Sequence, residues 1–290
     1  MPLRQITIIG TGLIGGSLGL ALRKNQFKGK IIGCDRPEVL RRAKRLHAID
    51  QGISDPLTAC QGSDLIVLAT PVGAVIELIG ELAPRLNANA IVTDVGSTKF
   101  EIASRARQVF GENAPRRFLP GHPMAGKEDS GIKHADPDLF RGAVWFLTPL
   151  VGKSLPDGAG REYVFWLKRI GAHVVFLDPA AHDRLCAWIS HVPQMLSTAL
   201  AASLVDEYGE NAPLLESGGR ALREMTRIAA SPYSMWRDIA ITNKKSITDA
   251  LLQVEQRLAH IRENLDTREL EVEFECAHKL RSRKSRPPKA

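Results

Sequence analysis

The stretch Ile6-Thr-Ile-Ile-Gly-Thr-Gly-Leu-Ile-Gly-Gly-Ser17 (ITIIGTGLIGGS) decides the fold. An apolar, β-branched run stops at Gly10, passes through a Gly-x-Gly-x-x-Gly turn and opens into small and apolar residues at helical spacing. Each glycine has a separate physical task. Gly10 permits the tight turn, Gly12 lets a pyrophosphate approach the backbone, and Gly15 lets the helix pack against the strand. The helix start, with Leu13 and Ile14, turns its backbone N–H groups toward the anion. A second run, KIIGCD, then ends on an acid, Asp35. A carboxylate there accepts hydrogen bonds from an adenosine ribose and repels a 2′-phosphate, which favours NAD. Arg36 beside it can neutralise such a phosphate, so NADP stays open.

Working outward, LIVLAT and AIVTDV supply further strands, with helices between them from about Ile14, Glu38 to Leu46 and Val75. Near-continuous apolar strands alternating with helices belong in a parallel sheet covered on both faces. AVWFLTP and HVVFLD read as two more strands around a helix from Arg161 to Ile170, and after Asp178 the strand signal stops. The expected architecture is α/β: a Rossmann-type doubly wound, mostly parallel sheet over residues 1–178 and an all-helical domain over 179–280. Residues 281–290 form a basic tail expected to be disordered.

The chain has 290 residues, 44% hydrophobic and 24% charged, as in a globular protein with a real core. No secretory leader pattern is legible at the N-terminus, and the longest apolar run, Leu65 to Ile76, is broken by Pro71 and Gly73. The expected location is therefore the cytoplasm, with no membrane partner. The net charge of +7 is concentrated at the C-terminal end, in Lys279, Arg281, Arg283, Lys284, Arg286 and Lys289. No aromatic is interleaved there, so no nucleic-acid partner is expected. Cys34, Cys60, Cys186 and Cys276 show no C-x-x-C pair and no metal-ligand spacing, so reduced thiols and no metal are expected.

Ligands of open parallel sheets bind at the carboxyl ends of the strands. Three segments fall there: ATPV with Thr70 and Pro71, DVGSTK with Ser97, and GHPMAGKE with His122 and Glu128. Proline biases its predecessor toward extended geometry, which fixes His122 on a turn. An imidazole in that place takes a proton from a hydroxyl as hydride leaves the same carbon, and a hydroxyl such as Ser97 holds its tautomer. Alone, His122 reads more readily as a satisfied structural histidine. Farther on, Arg220, Arg223 and Arg227 share one helix face, and one near its C-terminal end suits an anion. His191 sits in WISHVPQ, where Pro193 disrupts the helical run.

The ordered set of Gly10 to Gly15, DVGSTK, HPMAG with Lys127 and Glu128, HDRLCAWISHVPQ and TRIAAS with MWRDI resembles the prephenate/arogenate dehydrogenase family, from about Ile6 to Leu258. The resemblance implies NAD-dependent oxidative decarboxylation of prephenate to 4-hydroxyphenylpyruvate, in tyrosine biosynthesis, by a homodimer built through the helical domain. It implies His122 as proton acceptor, Ser97 as its support, and Arg227 on a substrate carboxylate, with Arg223 as the neighbouring candidate. The resemblance further implies that His191 lines the pocket, that Glu128 stands at its entrance and that Trp236 approaches the partner's site. Gln194 stands where many members have another histidine, and Arg220-Ala221 replaces glycines, which leaves arogenate open as substrate. The rival readings are a β-hydroxyacid dehydrogenase, whose customary lysine is replaced by HPMAG, and an NAD-sensing regulator.

Overall fold

A computed structural model describes residues 3–127, 129–152, 154–156, 158–210 and 213–282. Six strands form the main sheet: β1 (Gln5–Ile9), β2 (Lys30–Cys34), β3 (Gln51–Gly52), β4 (Leu65–Leu68), β5 (Ile91–Asp94) and β6 (Phe118–Leu119). Their order is β3-β2-β1-β4-β5-β6 and every pairing is parallel. The crossovers run through α1 (Leu13–Lys24), α2 (Pro37–Arg45), α3 (Pro56–Ala59), α4 (Val72–Leu82), α5 (Phe100–Phe110) and α6 (Ala114–Arg117). Order reverses between β1 and β4, so the crevice for a dinucleotide opens beside the glycine turn.

Strand residues alternate between two cores. Ile6, Ile8, Ile31, Leu65, Val67 and Ile91 face one layer, while Ile32, Ile66, Leu68 and Val92 face the other. That is why these strands read as unbroken apolar runs: neither face meets water. Burying each such side chain contributes roughly 1.5–3 kcal/mol.

The later strands do not extend this sheet. β7 (Gly121–Pro123), β8 (Val144–Leu147) and β9 (His173–Phe176) make a separate mixed sheet, β7 antiparallel to β8 and β8 parallel to β9. His122 is thus not on a turn. It lies in a short strand opposite Phe146, because the extended geometry enforced by Pro123 is also that of a strand. α7 (Ala159–Arg169) joins β8 to β9.

Beyond β9 the chain is helical: α8 (Pro179–Cys186), α9 (Val192–Tyr208), α10 (Leu214–Ser217), α11 (Gly219–Thr226), α12 (Tyr233–Thr242), α13 (Lys244–Glu263) and α14 (Glu269–Ser282). Asp178 starts α8 as its N-cap, its Oδ1 accepting from the N–H groups of Ala180 at 2.9 Å and Ala181 at 3.1 Å. The break expected at Ser217 to Gly219 is there, with Gly219 at φ +63°. The one expected at Pro193 is not. A π-helical turn over Ala187–His191 absorbs the proline and α9 follows directly. Arg281 and Ser282 end α14 and so are helix, not tail; the rest of the expected tail lies outside the described residues.

This half has a small core of Ala187, Val192, Ile239, Ile247 and Ala250. Leu252, Leu258, Leu265, Val272 and Phe274 are left exposed. Among the described residues no helix is long and apolar enough to cross a membrane.

Candidate active site

The glycine turn has the shape its sequence demands. Gly10 sits at φ +91°, and a Cβ there would lie 2.4 Å from the Ala69 carbonyl oxygen. A Cβ on Gly15 would lie 2.0 Å from the Gly10 oxygen, so only glycine lets α1 sit this close to β1. At Gly12 a Cβ would meet nothing within 4 Å: the face above the helix start is open. Gly12 is the N-cap of α1 and no side chain caps it, which leaves the Leu13 and Ile14 end of the helix available to an anion.

Asp35 is fixed at the rim, its Oδ2 accepting from the Thr11 N–H at 2.8 Å and its Oδ1 from the Arg36 N–H at 2.8 Å. The Arg36 guanidinium is exposed and pairs with Glu38 at 3.4 Å. Thr70 follows β4, and its Oγ1 is buried with no hydrogen-bond partner among the described residues. Pro71 caps α4, while Ser97, half-buried after β5, makes no side-chain hydrogen bond among the described residues. These features fit a dinucleotide laid across the carboxyl ends of the strands.

His122 is 8% exposed, and its Nδ1 lies 3.0 Å from Nε2 of His182. The Nδ1 of His182 lies 2.8 Å from Oδ1 of Asp183. Both Asp183 oxygens are already acceptors, taking the N–H of Lys99 at 2.7 Å and of Phe100 at 2.9 Å. The carboxylate therefore caps the start of α5, where a negative charge is favoured. Since it can only accept, His182 carries its proton on Nδ1 and presents a lone pair at Nε2. His122 must then donate from Nδ1, and its own Nε2 is left as a free base. The hydroxyl of Ser97 was expected to fix this tautomer; at Nδ1 that task falls to His182.

Burial holds the His122 pKa well below the ordinary histidine range, with His182, Lys99 and His191 acting in the same direction. Burial likewise lowers His182, against the opposing pull of the Asp183 hydrogen bond. Beneath the pair, Lys99 is fully buried and paired with Asp94, and it donates to the Gly121 carbonyl at 2.7 Å. Asp94 in turn accepts from the N–H groups of Gly96 at 2.8 Å and Gly121 at 3.2 Å. Burial pushes Asp94 up and Lys99 down, each toward its neutral form. The ion pair thus locks β7, and with it His122, onto the end of β5.

On the helical side Asn243 donates to the Asp183 carbonyl at 2.8 Å and lies 3.2 Å from Nδ1 of His191. Burial lowers the His191 pKa to about 4. Its Nε2 is buried without a partner among the described residues, and its ring meets Trp236 edge-on at 5.9 Å. Next to it opens a cavity of about 290 Å³ lined by Lys127, Pro193, Gln194, Arg227, Ile228 and Trp236, among others. Trp236 therefore stands against His191 of its own chain. Arg227 reaches this cavity from the turn after α11, whereas Arg220 pairs with Glu224 at 2.6 Å and Arg223 donates to the Leu215 carbonyl at 3.0 Å, both exposed. Arg223 is not among the residues that line this cavity, and its guanidinium is engaged with the Leu215 carbonyl instead. Glu128 lies outside the described residues.

Residues 18–175 match the family model for the prephenate dehydrogenase nucleotide-binding domain, and residues 178–278 match that for the prephenate dehydrogenase dimerization domain. The chain belongs to the prephenate dehydrogenase family. It is 32% identical over 286 residues to a prephenate dehydrogenase of Lactococcus lactis, covering 96% of this chain and 77% of that one. It is 37% identical over 252 residues to that of Bacillus subtilis, covering 84% of this chain and 65% of that one. Among solved structures, prephenate dehydrogenase from A. aeolicus in complex with hydroxyphenyl propionate and NAD+ superposes with a TM-score of 0.85 at 31% identity, covering 97% and 98% of the two chains.

The residues that join this cluster and were not singled out in the sequence are His182, Asp183, Asn243 and the Asp94–Lys99 pair. His182-Asp183 was in view within HDRLCAWISHVPQ, but its partner lies 60 residues away. Asp94 and Lys99 are both in DVGSTK, where their spacing gives no hint that both are buried.

Proposed function

We propose that this protein oxidatively decarboxylates prephenate with NAD+, giving 4-hydroxyphenylpyruvate, carbon dioxide and NADH. The observation that carries the reading is the buried Asp183–His182–His122 chain, which leaves a neutral imidazole nitrogen on β7, the strand that Lys99 and Asp94 tie to the carboxyl end of β5. NAD+ bound along the turn supplies the hydride acceptor. Gly10, Gly12, Leu13, Ile14 and Gly15 would hold its pyrophosphate and Asp35 its ribose, with Thr70, Pro71 and Ser97 toward the nicotinamide end. Arg36 is already engaged with Glu38, which supports NAD over NADP.

His122 Nε2 takes the proton of the ring C4 hydroxyl as hydride leaves C4. The ring carboxylate then departs as carbon dioxide, its bonding pair aromatises the ring, and the phenolate oxygen recovers the proton from His122. A neutral base suits this better than a carboxylate, which would repel a dianionic substrate. Arg227 holds the side-chain carboxylate, the one that stays, since gripping the departing carboxylate would stabilise the ground state. Trp236 lines the cavity beside it, with His191 packed edge-on against that ring.

One observation favours arogenate as a second substrate. The Nε2 of Gln194 is committed to the Ile228 carbonyl at 3.0 Å and to Thr198 at 3.2 Å, so its oxygen is the acceptor left on this cavity residue. An acceptor pairs with the ammonium of arogenate better than with the keto oxygen of prephenate. NADH or NADPH formation, followed with each substrate and each cofactor, tests both readings. No reduction with prephenate overturns the first, and no reduction with arogenate removes the second.

The division into a nucleotide-binding part over 1–178 and a substrate and dimerisation part over 179–280 goes with this reading. The exposed apolar residues of α13 and α14 support a homodimer, and the small-molecule chemistry is that of a cytoplasmic enzyme.

A further inference from the structure

We infer that His122, His182 and Cys186 form a soft-metal site, two imidazole nitrogens and one thiolate, that takes Zn2+ and switches the base off. The three ligand atoms make a compact triangle. His122 Nδ1 and His182 Nε2 are 3.0 Å apart, and Cys186 Sγ is 3.3 Å from His182 Nε2 and 3.9 Å from His122 Nδ1. A point about 2 Å from all three atoms lies inside that triangle, near the 2.0–2.3 Å at which zinc binds imidazole and thiolate.

The arrangement is preorganised. His182 and Cys186 are one helical turn apart on α8, a spacing that the separate reading of the four cysteines passed over. His122 is held by the β7–β8 ladder, and all three side chains are buried. The Asp183 carboxylate on His182 Nδ1 supplies the outer support that zinc-bound histidines ordinarily have. Binding releases the thiol proton to solvent. The thiolate and the Asp183 carboxylate then balance the two charges of the cation, while the Asp94–Lys99 pair beside them is self-neutral.

The consequence for the base follows from the tautomer and rests on the proposed function. A metal on Nδ1 of His122 takes the lone pair there and forces the ring proton onto Nε2. The nitrogen that faces substrate then has no lone pair to offer, although neither the cofactor crevice nor the Arg227 cavity is filled.

The test separates binding from activity. Co2+ titrated into the full-length protein is expected to give a thiolate-to-cobalt charge-transfer band that saturates at one equivalent per chain and is displaced by Zn2+. The band should persist in Cys276→Ser, which removes the exposed thiol, and vanish in Cys186→Ala and in Cys186→Ser, the second variant guarding against a packing defect. Buffered Zn2+ should abolish NADH formation reversibly by chelator in the parent, with at least a tenfold weaker effect in either Cys186 variant. A band that survives loss of Cys186, disappears with Cys276, or never forms overturns the site. A normal band in a protein that reduces no NAD+ with either substrate leaves the site standing and overturns the proposed function instead.

Discussion

The Nδ1 of His122 and the Nε2 of His182 face each other across 3.0 Å, joining a strand of the nucleotide-binding half to a helix of the other half. Since His182 is held by Asp183, the tautomer of His122 is fixed from outside its own domain.

Replacing His122 with Asn keeps a polar side chain and removes the base. Turnover should fall about a hundredfold to ten-thousandfold with both ligands still bound. The base works only when neutral, so the parent's rate rises with pH through one ionisation. That ionisation is displaced below the ordinary histidine value, because burial, His182, Lys99 and His191 all oppose the charge. A kcat profile taken with chelator present should lose this acid limb in the variant. An unchanged limb would assign it to another group.

Stability should follow the same histidines. Their folded-state pKa values are lowered, so the unfolded chain binds the extra protons first as pH falls. The contribution is complete above about pH 6.5 and declines below it, down to about pH 4 for His191. For His191 alone the loss is on the order of 3 kcal/mol. Chemical denaturation at several pH values, with His191→Gln as the control, measures it: the variant's stability should depend less on pH in that window.

Asp183→Asn puts an N–H donor where the carboxylate accepted two backbone N–H groups and the His182 proton. Roughly tenfold to a thousandfold lower kcat is expected, by analogy with tautomer loss at other buried acid–histidine pairs. KM should move little, and stability should drop by about 1–3 kcal/mol from the unsatisfied helix start. A variant that shows the stability loss with kcat intact would confine Asp183 to a capping role.

Arg227→Ala should raise KM for substrate by a factor corresponding to about 1.5–3 kcal/mol, with NAD+ affinity unchanged. Arg220→Ala and Arg223→Ala should do neither, since both side chains are spent on the surface. Steady-state kinetics of the three variants side by side decides whether the roles are assigned correctly.

Asp35→Ser removes the charge that repels a 2′-phosphate while keeping a hydrogen-bonding group near Thr11. The ratio of kcat/KM for NADP to that for NAD should rise. A parent that already prefers NADP would mean that Arg36 leaves Glu38 to bind the phosphate.

Four strands of the sheet, β1, β2, β4 and β5, were legible because each is a local apolar run; β3 (Gln51–Gly52) and β6 (Phe118–Leu119) are two residues long and carry no such run, so only their pairing reveals them. Nor was strand β7 legible, since three residues before and at a proline carry no periodicity and only their pairing with β8 makes them a strand. The π-helical turn at Ala187–His191 escaped for a related reason: a proline forbids a regular α-helical bond but does not say how the chain will route around it. Of the site, His122, Arg227 and His191 could be picked out because glycine, proline and spacing single them out. The partner of His122 could not. A hydroxyl three residues from β5 was the nearest candidate in sequence, and the group that does the holding comes from sixty residues away.

The acid that finishes the first turn of α5 is contributed by the second half of the chain, so the two halves are not exchangeable cassettes. A nucleotide-binding half spliced onto a foreign helical half inherits a histidine aimed at nothing and a helix without its anion. Lineages that recombine such halves have to transmit the His182-Asp183 pair and the opening of α5 together, across the joint, as a single heritable unit.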